Sequence, residues 1–381
     1  METKTITTIL YFTCFIIITV ISVIFETEKK NQKIARIVIG KGNITFHIKL
    51  LWAGLLIVLI LSILAGIRSG VGTDFDGYKK IYETYSNMSN FSFLRYGGFN
   101  TEIGYYYLCR FSNFIFNNFQ ILLFITGLLI YGLFIWYIKN IYSNVYVPIM
   151  IFGYCALYFG ASFNIMRQII ASSIILLSYK YVEKRNLFKF LFTIFIAVCF
   201  HTSAIFCIPF YFMYIPNNKM GVVKRKLIIF SSLLLPFGFS LFFNLMSQMS
   251  IFSKYAVTYN DYVVTNINYV SLIVRFPMAI ILFRNYKQMI KLDTVNNFYY
   301  LLYIFEFLSI IIGYKMHWAF RLIYYVMFAE LILIGKIIYN HRGNKKIFIK
   351  VFSYLYYAFY FYYLYIFSGH DAIVPFITIF H

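Results

Sequence analysis

The sequence predicts an all-α, multi-pass membrane protein with about twelve transmembrane helices and one large outer loop. Of its 381 residues, 61% are hydrophobic and only 12% are charged, whereas soluble domains average about 25% charged residues. The apolar residues come in runs of roughly 15 to 25, the length that an α-helix needs to cross a bilayer. A single soluble domain is therefore excluded, and residues 1–381 are predicted to form one transmembrane domain.

Eleven apolar runs along the chain account for the predicted spans. The first has no basic segment before it and no A-x-A cleavage site, so we interpret it as a retained span rather than a signal peptide. The sixth is too long for one crossing, and we interpret it as two short helices that meet at His201. The runs are Ile6–Phe25, Leu50–Ile67, Phe119–Ile138, Val145–Ser162, Gln168–Val182, Leu187–Pro216, Leu227–Leu245, Tyr269–Phe283, Val295–Gly313, Leu322–Gly335 and Ile347–Phe367.

The loops between these runs alternate in charge. Most lysines and arginines lie in one set of loops, which the positive-inside rule assigns to the cytoplasm. Both chain termini then face outward, and the outer side carries a large loop at residues 68–118 and a second at 246–268. The cytoplasmic loops explain the net charge of +21, so no nucleic-acid partner is indicated.

The cysteines and the glycine pattern argue against several classes of site. The five cysteines form no CxxC motif and no metal-ligand spacing, which predicts neither a disulfide nor a metal site. No Walker motif occurs, so the chain encodes no ATP-driven transport.

Two acidic segments of the outer side could carry chemistry. In Arg68–Tyr78, Asp74 and Asp76 stand among glycines and could bind a cation or supply a general base; a solvated loop after a helix end is the alternative. In Asn100–Tyr107, Glu102 precedes three tyrosines, a combination that suits carbohydrate. An interfacial helix with a tyrosine belt is the alternative there.

Three arginines, Arg68, Arg167 and Arg321, are predicted near one outer membrane plane. Arg167 lies at the outer end of a span, where an arginine can either reach lipid headgroups or clamp a phosphate. Arg321 shares a short outer turn with Lys315. Arginines facing a cavity at that level are what a lipid-pyrophosphate substrate needs.

Histidine and intramembrane charges complete the candidates. His201, at the tip of the predicted hairpin, could accept a proton at neutral pH, or it could be a structural histidine. Arg275, Glu306 and Glu330 lie within predicted spans. Because such charges are costly in hydrocarbon and usually pair, we predict a structural ion pair between Arg275 and one glutamate, with a proton relay as the alternative.

Four segments, in this order, resemble the EpsG family, which groups with Wzy-type polymerases of O-antigens, capsules and exopolysaccharides. The resemblance covers roughly Leu50 to Pro209, and the second segment reads Glu-Ile-Gly where a proline often follows the glutamate. The matching residues are Arg68, Gly72–Asp74 and Tyr78; Glu102, Gly104 and Tyr105; Arg167 and Gln168; and Phe200, His201, Ser203 and Pro209.

The resemblance implies glycosyl transfer at the outer face of a bacterial inner membrane. A hydroxyl of a lipid-linked repeat unit would attack a glycan carried on undecaprenyl pyrophosphate, with no metal, nucleotide sugar or other cofactor. It also implies a chain-length regulator and a flippase as partners. An O-antigen ligase-type transferase and a transporter of the lipid-linked oligosaccharide remain the alternatives.

The candidate residues are assigned roles in this glycosyl transfer. His201, Asp74 or Glu102 could serve as the catalytic base; His201 is favoured, with Asp74 second. Pyrophosphate is assigned to Arg68, Arg167 and Arg321, and the sugar to Tyr78, Glu102 and Tyr105.

Overall fold

The computed structural model describes residues 2–38, 44–88, 102–216, 223–224, 226–234, 238, 269–313 and 317–380. This part of the chain is helical and contains no β-strand, only one bridge between Arg68 and Thr378. The helices are α1 (Glu2–Val38), α2 (Ile44–Ile67), α3 (Phe75–Asn87), α4 (Ile103–Phe116), α5 (Phe119–Ile141), α6 (Val147–Asn164), α7 (Met166–Glu183), α8 (Leu187–Phe200), α9 (Tyr269–Arg284), α10 (Tyr286–Leu292), α11 (Asn296–Gly313), α12 (His317–Arg321), α13 (Ile323–Val326), α14 (Phe328–Asn340) and α15 (Gly343–Phe361).

The chain divides into two compact units. The first comprises residues 1–176, 196–202 and 334–381, and the second comprises residues 177–195 and 203–333. The prediction of one transmembrane domain concerns the whole chain and stays a prediction.

Helix α6 is the centre of the first unit, where α1, α5 and α15 pack around it. All of its residues are buried, which explains why its sequence is apolar on every side rather than along one stripe. Its N-terminus receives a carboxylate, because Oε1 of Glu26 on α1 accepts a hydrogen bond of 2.9 Å from the Val147 amide. The ring contacts that join α6 to its neighbours are Phe159 with Phe15 (5.3 Å), Tyr154 with Phe134 (3.8 Å) and Phe152 with Tyr354 (5.3 Å).

The large outer loop predicted at residues 68–118 contains two helices, α3 and α4. They pack together through tyrosines: the rings of Tyr78 and Tyr105 lie 5.8 Å apart, and those of Tyr85 and Tyr106 lie 5.6 Å apart. Arg110 on α4 donates to the carbonyls of the last turn of α3. Within the described part of this loop, α3 and α4 therefore pack against each other.

The long sixth run is broken at His201, as predicted. Helix α8 ends at Phe200, and a 3₁₀ helix covers Thr202–Met213. Within the second unit, the rings of Phe190 and Tyr211 lie 5.3 Å apart, so the end of the 3₁₀ helix returns to the start of α8. The two segments form the predicted hairpin.

The second unit contains the intramembrane ion pair. Nε of Arg275 on α9 donates to Oε1 of Glu306 on α11 at 2.6 Å, and both side chains are buried. Arg275 also donates to the carbonyl of Ser271 at 2.9 Å. The structure thus pairs Arg275 with Glu306, one of the two glutamates that the sequence offers.

Six helices of the described chain are long and apolar enough to cross a membrane, so the chain is a helical membrane protein. They are Thr3–Glu28, Lys49–Ile67, Phe119–Ile141, Val147–Asn164, Asn296–Gly313 and Ala319–Asn340. The predicted total of about twelve is not reached by this criterion. The predicted loop 246–268 and part of the run Leu227–Leu245 lie outside the described residues.

Candidate active site

One carboxylate joins two of the predicted site residues in the first unit. Oε2 of Glu102 is hydrogen-bonded to Nη1 of Arg167, and Oε1 lies 2.8 Å from Nδ1 of His201. The Thr202 amide also donates to Oε1 at 3.4 Å. The Glu102 side chain is 4% exposed, whereas those of Arg167 and His201 are each 21% exposed. A buried carboxylate thus holds two cationic or basic groups that reach the surface.

Helix ends position these three side chains. Glu102 is the N-cap of α4, Arg167 is in the first turn of α7, and His201 follows α8. The approach of α4 to α8 depends on Gly104, because a Cβ there would lie 2.8 Å from the Cys199 carbonyl oxygen. A side chain at that position would separate Glu102 from His201.

The protonation states follow from the surroundings of Glu102. Burial acts to raise the pKa of the Glu102 carboxyl, but the Arg167 charge and the hydrogen bonds from His201 and Arg167 outweigh burial and lower the pKa. An ionised carboxylate can only accept hydrogen bonds, so Nδ1 of His201 carries the proton in this contact. Nε2 is then the nitrogen that can take up a proton.

Two tyrosines lie beside Arg167. The Tyr78 ring centre is 5.9 Å from the Arg167 guanidinium carbon, and the Arg167 amide approaches the Tyr78 hydroxyl at 3.5 Å. Tyr105 is fully buried against Tyr78. Burial raises the pKa of Tyr78, which keeps its hydroxyl neutral. The assignment of both rings to sugar stays a prediction, and in this structure they support Arg167.

Asp74 belongs to a neighbouring network centred on Asn164. Oδ1 of Asn164 accepts hydrogen bonds from the Thr73 hydroxyl at 3.0 Å and from the Asp74 amide at 3.2 Å. Its Nδ2 donates to the carbonyls of Asp371 at 3.0 Å and Gly160 at 3.3 Å. Asn164 ends α6, and Arg167 lies in the first turn of α7. The Asn164 side-chain amide therefore holds the Asp74 segment at the junction between α6 and α7.

Gly72 makes the same segment possible. Its φ of +105° is one that residues with a side chain rarely adopt, and a Cβ there would lie 2.8 Å from Oδ1 of Asn164. The glycine therefore lets the backbone pass directly over the amide. Asp74 and Asp76 themselves are exposed at the start of α3.

Arg68 is buried rather than open to a substrate. Its Nη1 donates to the carbonyls of Val71 at 3.1 Å and Phe163 at 2.7 Å, and its guanidinium lies 4.3 Å from the Phe163 ring centre. Burial lowers the pKa of Arg68 to about 10. In this structure Arg68 fastens the segment after α2 to the end of α6, and its assignment to pyrophosphate stays a prediction.

The C-terminal segment, residues 369–380, is a part of this region that sequence reasoning missed. It pairs with the segment after α2 through four backbone hydrogen bonds of 2.9 to 3.2 Å, which join residues 67–73 to residues 371–379. It also reaches α1, because the Tyr11 hydroxyl donates to the Ile373 carbonyl at 2.7 Å. The C-terminal segment thus contacts both α1 and the segment that follows Arg68.

The remaining predictions are placed as follows. Arg321 belongs to the second unit, where it ends α12 and is exposed, so its assignment to pyrophosphate stays a prediction. Lys315 lies outside the described residues. Within the described ranges, no group of three His, Cys, Asp or Glu side chains could hold a metal ion. All five cysteines are free thiols.

Comparison with known proteins adds one finding. A family model described as the EpsG family matches residues 51–378, which is most of the chain. No curated protein and no solved structure matches. The match extends well beyond Pro209, and it includes the C-terminal segment almost to its end.

Proposed function

This chain belongs to the EpsG family, a polysaccharide-polymerase-type family, and on that premise we propose that it polymerises a surface polysaccharide. The growing glycan would be transferred from undecaprenyl pyrophosphate to the non-reducing sugar of a lipid-linked repeat unit. The single observation that carries the proposal is the chain of contacts from Arg167 through Glu102 to His201.

His201 is the proposed general base. A hydroxyl of the acceptor sugar forms a bond to the anomeric carbon of the donor while its proton passes to Nε2 of His201. The bond between that carbon and the pyrophosphate oxygen breaks, and its electron pair leaves on the pyrophosphate. A neutral imidazole whose Nδ1 is hydrogen-bonded to Glu102 is suited to this step because Nε2 keeps the lone pair that accepts the proton.

Glu102 is the proposed positioning residue for this base, in place of its earlier assignment to sugar. Its carboxylate holds the His201 ring in one orientation and one tautomer, and it stabilises the imidazolium that forms when the proton arrives. The lowered pKa of Glu102 keeps the carboxylate ionised at neutral pH. Asp74, exposed at the neighbouring segment, remains the second candidate base.

Arg167 supplies the proposed positive charge for the leaving pyrophosphate. Its guanidinium is anchored on Glu102 through Nη1, and the side chain is 21% exposed, so part of this fixed cation reaches the surface. The N-terminus of α7 adds partial positive charge at the same place. No metal is needed in this scheme, because the preformed cation stabilises charge as it develops.

The proposed setting is the outer face of a bacterial inner membrane. This location assumes the predicted topology of about twelve spans, in which the basic loops are cytoplasmic and the Glu102 site lies on the outer side. A flippase would supply the lipid-linked repeat unit, and a chain-length regulator would act with the polymerase.

The proposal is tested by deleting the gene and separating the surface polysaccharide by gel electrophoresis. We expect the ladder of long chains to collapse to a single-repeat band, and the wild-type gene to restore it. His201→Ala should lower the polymerisation rate by about 100-fold or more, the usual contribution of a general base. Glu102→Gln should lower it by about tenfold or more, with a smaller change in KM.

Glu83→Gln is the matched control, because it makes the same chemical change on the exposed face of α3. It should leave the ladder intact at equal protein level. An unchanged ladder in the deletion strain would rule out a polymerase, and polymer held on its lipid carrier would indicate a ligase. Loss of all surface glycan, including the single repeat, would indicate transport.

A further inference from the structure

Helix α4 carries an exposed face that is mostly aromatic, with Arg110 beside the aromatic side chains. Tyr107, Phe111, Phe114 and Phe116 are 59%, 55%, 88% and 68% exposed. The first three are spaced by four and three residues, so they lie on one side of the helix. The opposite side of α4 is buried against the protein.

The neighbouring helix α3 provides the contrast. Its exposed side chains are polar or charged and include Asp76, Lys79, Lys80 and Glu83. The two helices share one buried layer of tyrosines, which leaves one charged outer face and one aromatic outer face. A pair of helices in water would not keep three large aromatic side chains exposed together on one of its two faces.

Both ends of α4 lie beside the ends of other helices in the first unit. At its start, Glu102 contacts Arg167 in the first turn of α7. At its end, only Asn117 and Asn118 separate Phe116 from α5, a candidate span that begins at Phe119. The helix therefore runs across the end of the bundle between two helix termini, rather than continuing into a span.

We propose that α4 lies in the plane of the membrane and inserts its aromatic face into the lipid of the outer leaflet. The occupant of that face is bilayer lipid, because only two residues separate α4 from the candidate span α5 and the face carries aromatic side chains typical of the interface. Arg110, on the same helix, keeps its guanidinium on the α3 carbonyls, away from the hydrocarbon.

This placement sets the depth of the candidate active site. Glu102 caps the N-terminus of α4, so a helix lying at the interface holds its N-cap at the level of the headgroups. A pyrophosphate carried by a lipid lies at that level. The lipid contact itself does not depend on the reaction proposed above.

The test measures the depth of spin labels in phospholipid nanodiscs. Phe114→Cys and, as the matched control, Lys80→Cys are each labelled with a nitroxide, and the wild-type chain treated in the same way supplies the background from native thiols. At position 114 we expect relaxation by oxygen to exceed relaxation by a water-soluble nickel complex. At position 80 we expect the reverse.

Equal access of the nickel complex to both positions would overturn the proposal. Phe111→Cys, one turn earlier on the same face, repeats the measurement in case the substitution at Phe114 prevents folding. Because label depth requires no enzymatic turnover, failure of the reaction scheme and failure of the lipid contact give separate results.

Discussion

Glu102, His201 and Arg167 were each marked as candidates by their own residue type and surroundings, but their association could not be predicted. Glu102 is 65 residues from Arg167 and 99 residues from His201 in the chain. Helix ends bring the three together, and sequence spacing carries no signal for that. The Glu102 carboxylate was therefore assigned to sugar, whereas the geometry gives it two protein partners.

Asn164 is a residue whose importance only the structure reveals, although it stands three residues before Arg167. We expect Asn164→Ala to destabilise the protein by about 1–3 kcal/mol, because the groups that are hydrogen-bonded to the Asn164 side-chain amide are left without that partner. Asn164→Asp keeps an acceptor for Thr73 and Asp74 but sets a buried carboxylate oxygen against the carbonyls of Asp371 and Gly160, so it should destabilise the protein at least as much. Thermal unfolding in detergent measures both.

Asn113→Ala is the control for this pair, since Asn113 accepts only a part-buried hydrogen bond from Tyr82 at 3.0 Å. It should change the melting temperature less than Asn164→Ala does. If the three substitutions lowered the melting temperature equally, the Asn164 network would contribute no more to stability than the hydrogen bond between Tyr82 and Asn113.

The lowered pKa of Glu102 predicts the pH dependence of stability. Because the folded-state pKa lies below the ordinary value of 4.5, the stabilisation from Glu102 is complete above that value. It is lost as the pH falls through the lowered folded-state pKa. Comparison of wild-type and Glu102→Gln melting temperatures should give a difference that does not narrow between pH 8 and about pH 5 and that narrows below about pH 4. A difference that already narrows between pH 8 and 6 would contradict this ionisation state.

At the scale of elements, the apolar runs and their breaks were predictable. Helices α2, α5 and α6 follow the predicted runs closely, and the long sixth run breaks at His201. Helix α3 and the C-terminal segment were not predicted, and a helix at Asn100–Tyr107 was only the alternative to a sugar site. These segments are short and amphipathic or irregular, so they lack the long apolar signal that identifies a span.

The ion pair between α9 and α11 gives a prediction at this scale. We expect Arg275→Leu or Glu306→Leu alone to cost about 3–5 kcal/mol, because each leaves an uncompensated buried charge. The double substitution should recover a large part of that loss. Melting temperatures of the four proteins in one detergent form a double-mutant cycle, and strictly additive losses would mean that the pair is not coupled.

At the scale of the whole molecule, the three predicted arginines do not form one group in a single unit. Arg68 and Arg167 belong to the first unit and Arg321 to the second. Hydropathy and loop charge place residues relative to the membrane, but they carry no information on which helices pack together. The predicted common plane therefore concerned the depth of the three arginines in the membrane and not any contact between them.

The membrane topology is testable with residues of the first unit. Asp76 and Lys139 are both exposed, on α3 and at the end of α5. A membrane-impermeant thiol reagent should label Asp76→Cys in intact cells. It should label Lys139→Cys only after the membrane is permeabilised. Labelling of both in intact cells, or the reverse pattern, would refute the assignment of the basic loops to the cytoplasm.

The sequence by itself determined that this is a helical membrane protein, where most of its apolar runs lie, and which family it resembles. Hydrophobicity and charge are sums over neighbouring residues, so they can be read along the chain. Only the tertiary structure decided that Glu102 bridges Arg167 and His201, that Asn164 holds the Asp74 segment, and that the C-terminal segment closes on residues 67–73. These contacts join distant parts of the chain through single hydrogen bonds, whose direction depends on how whole helices pack.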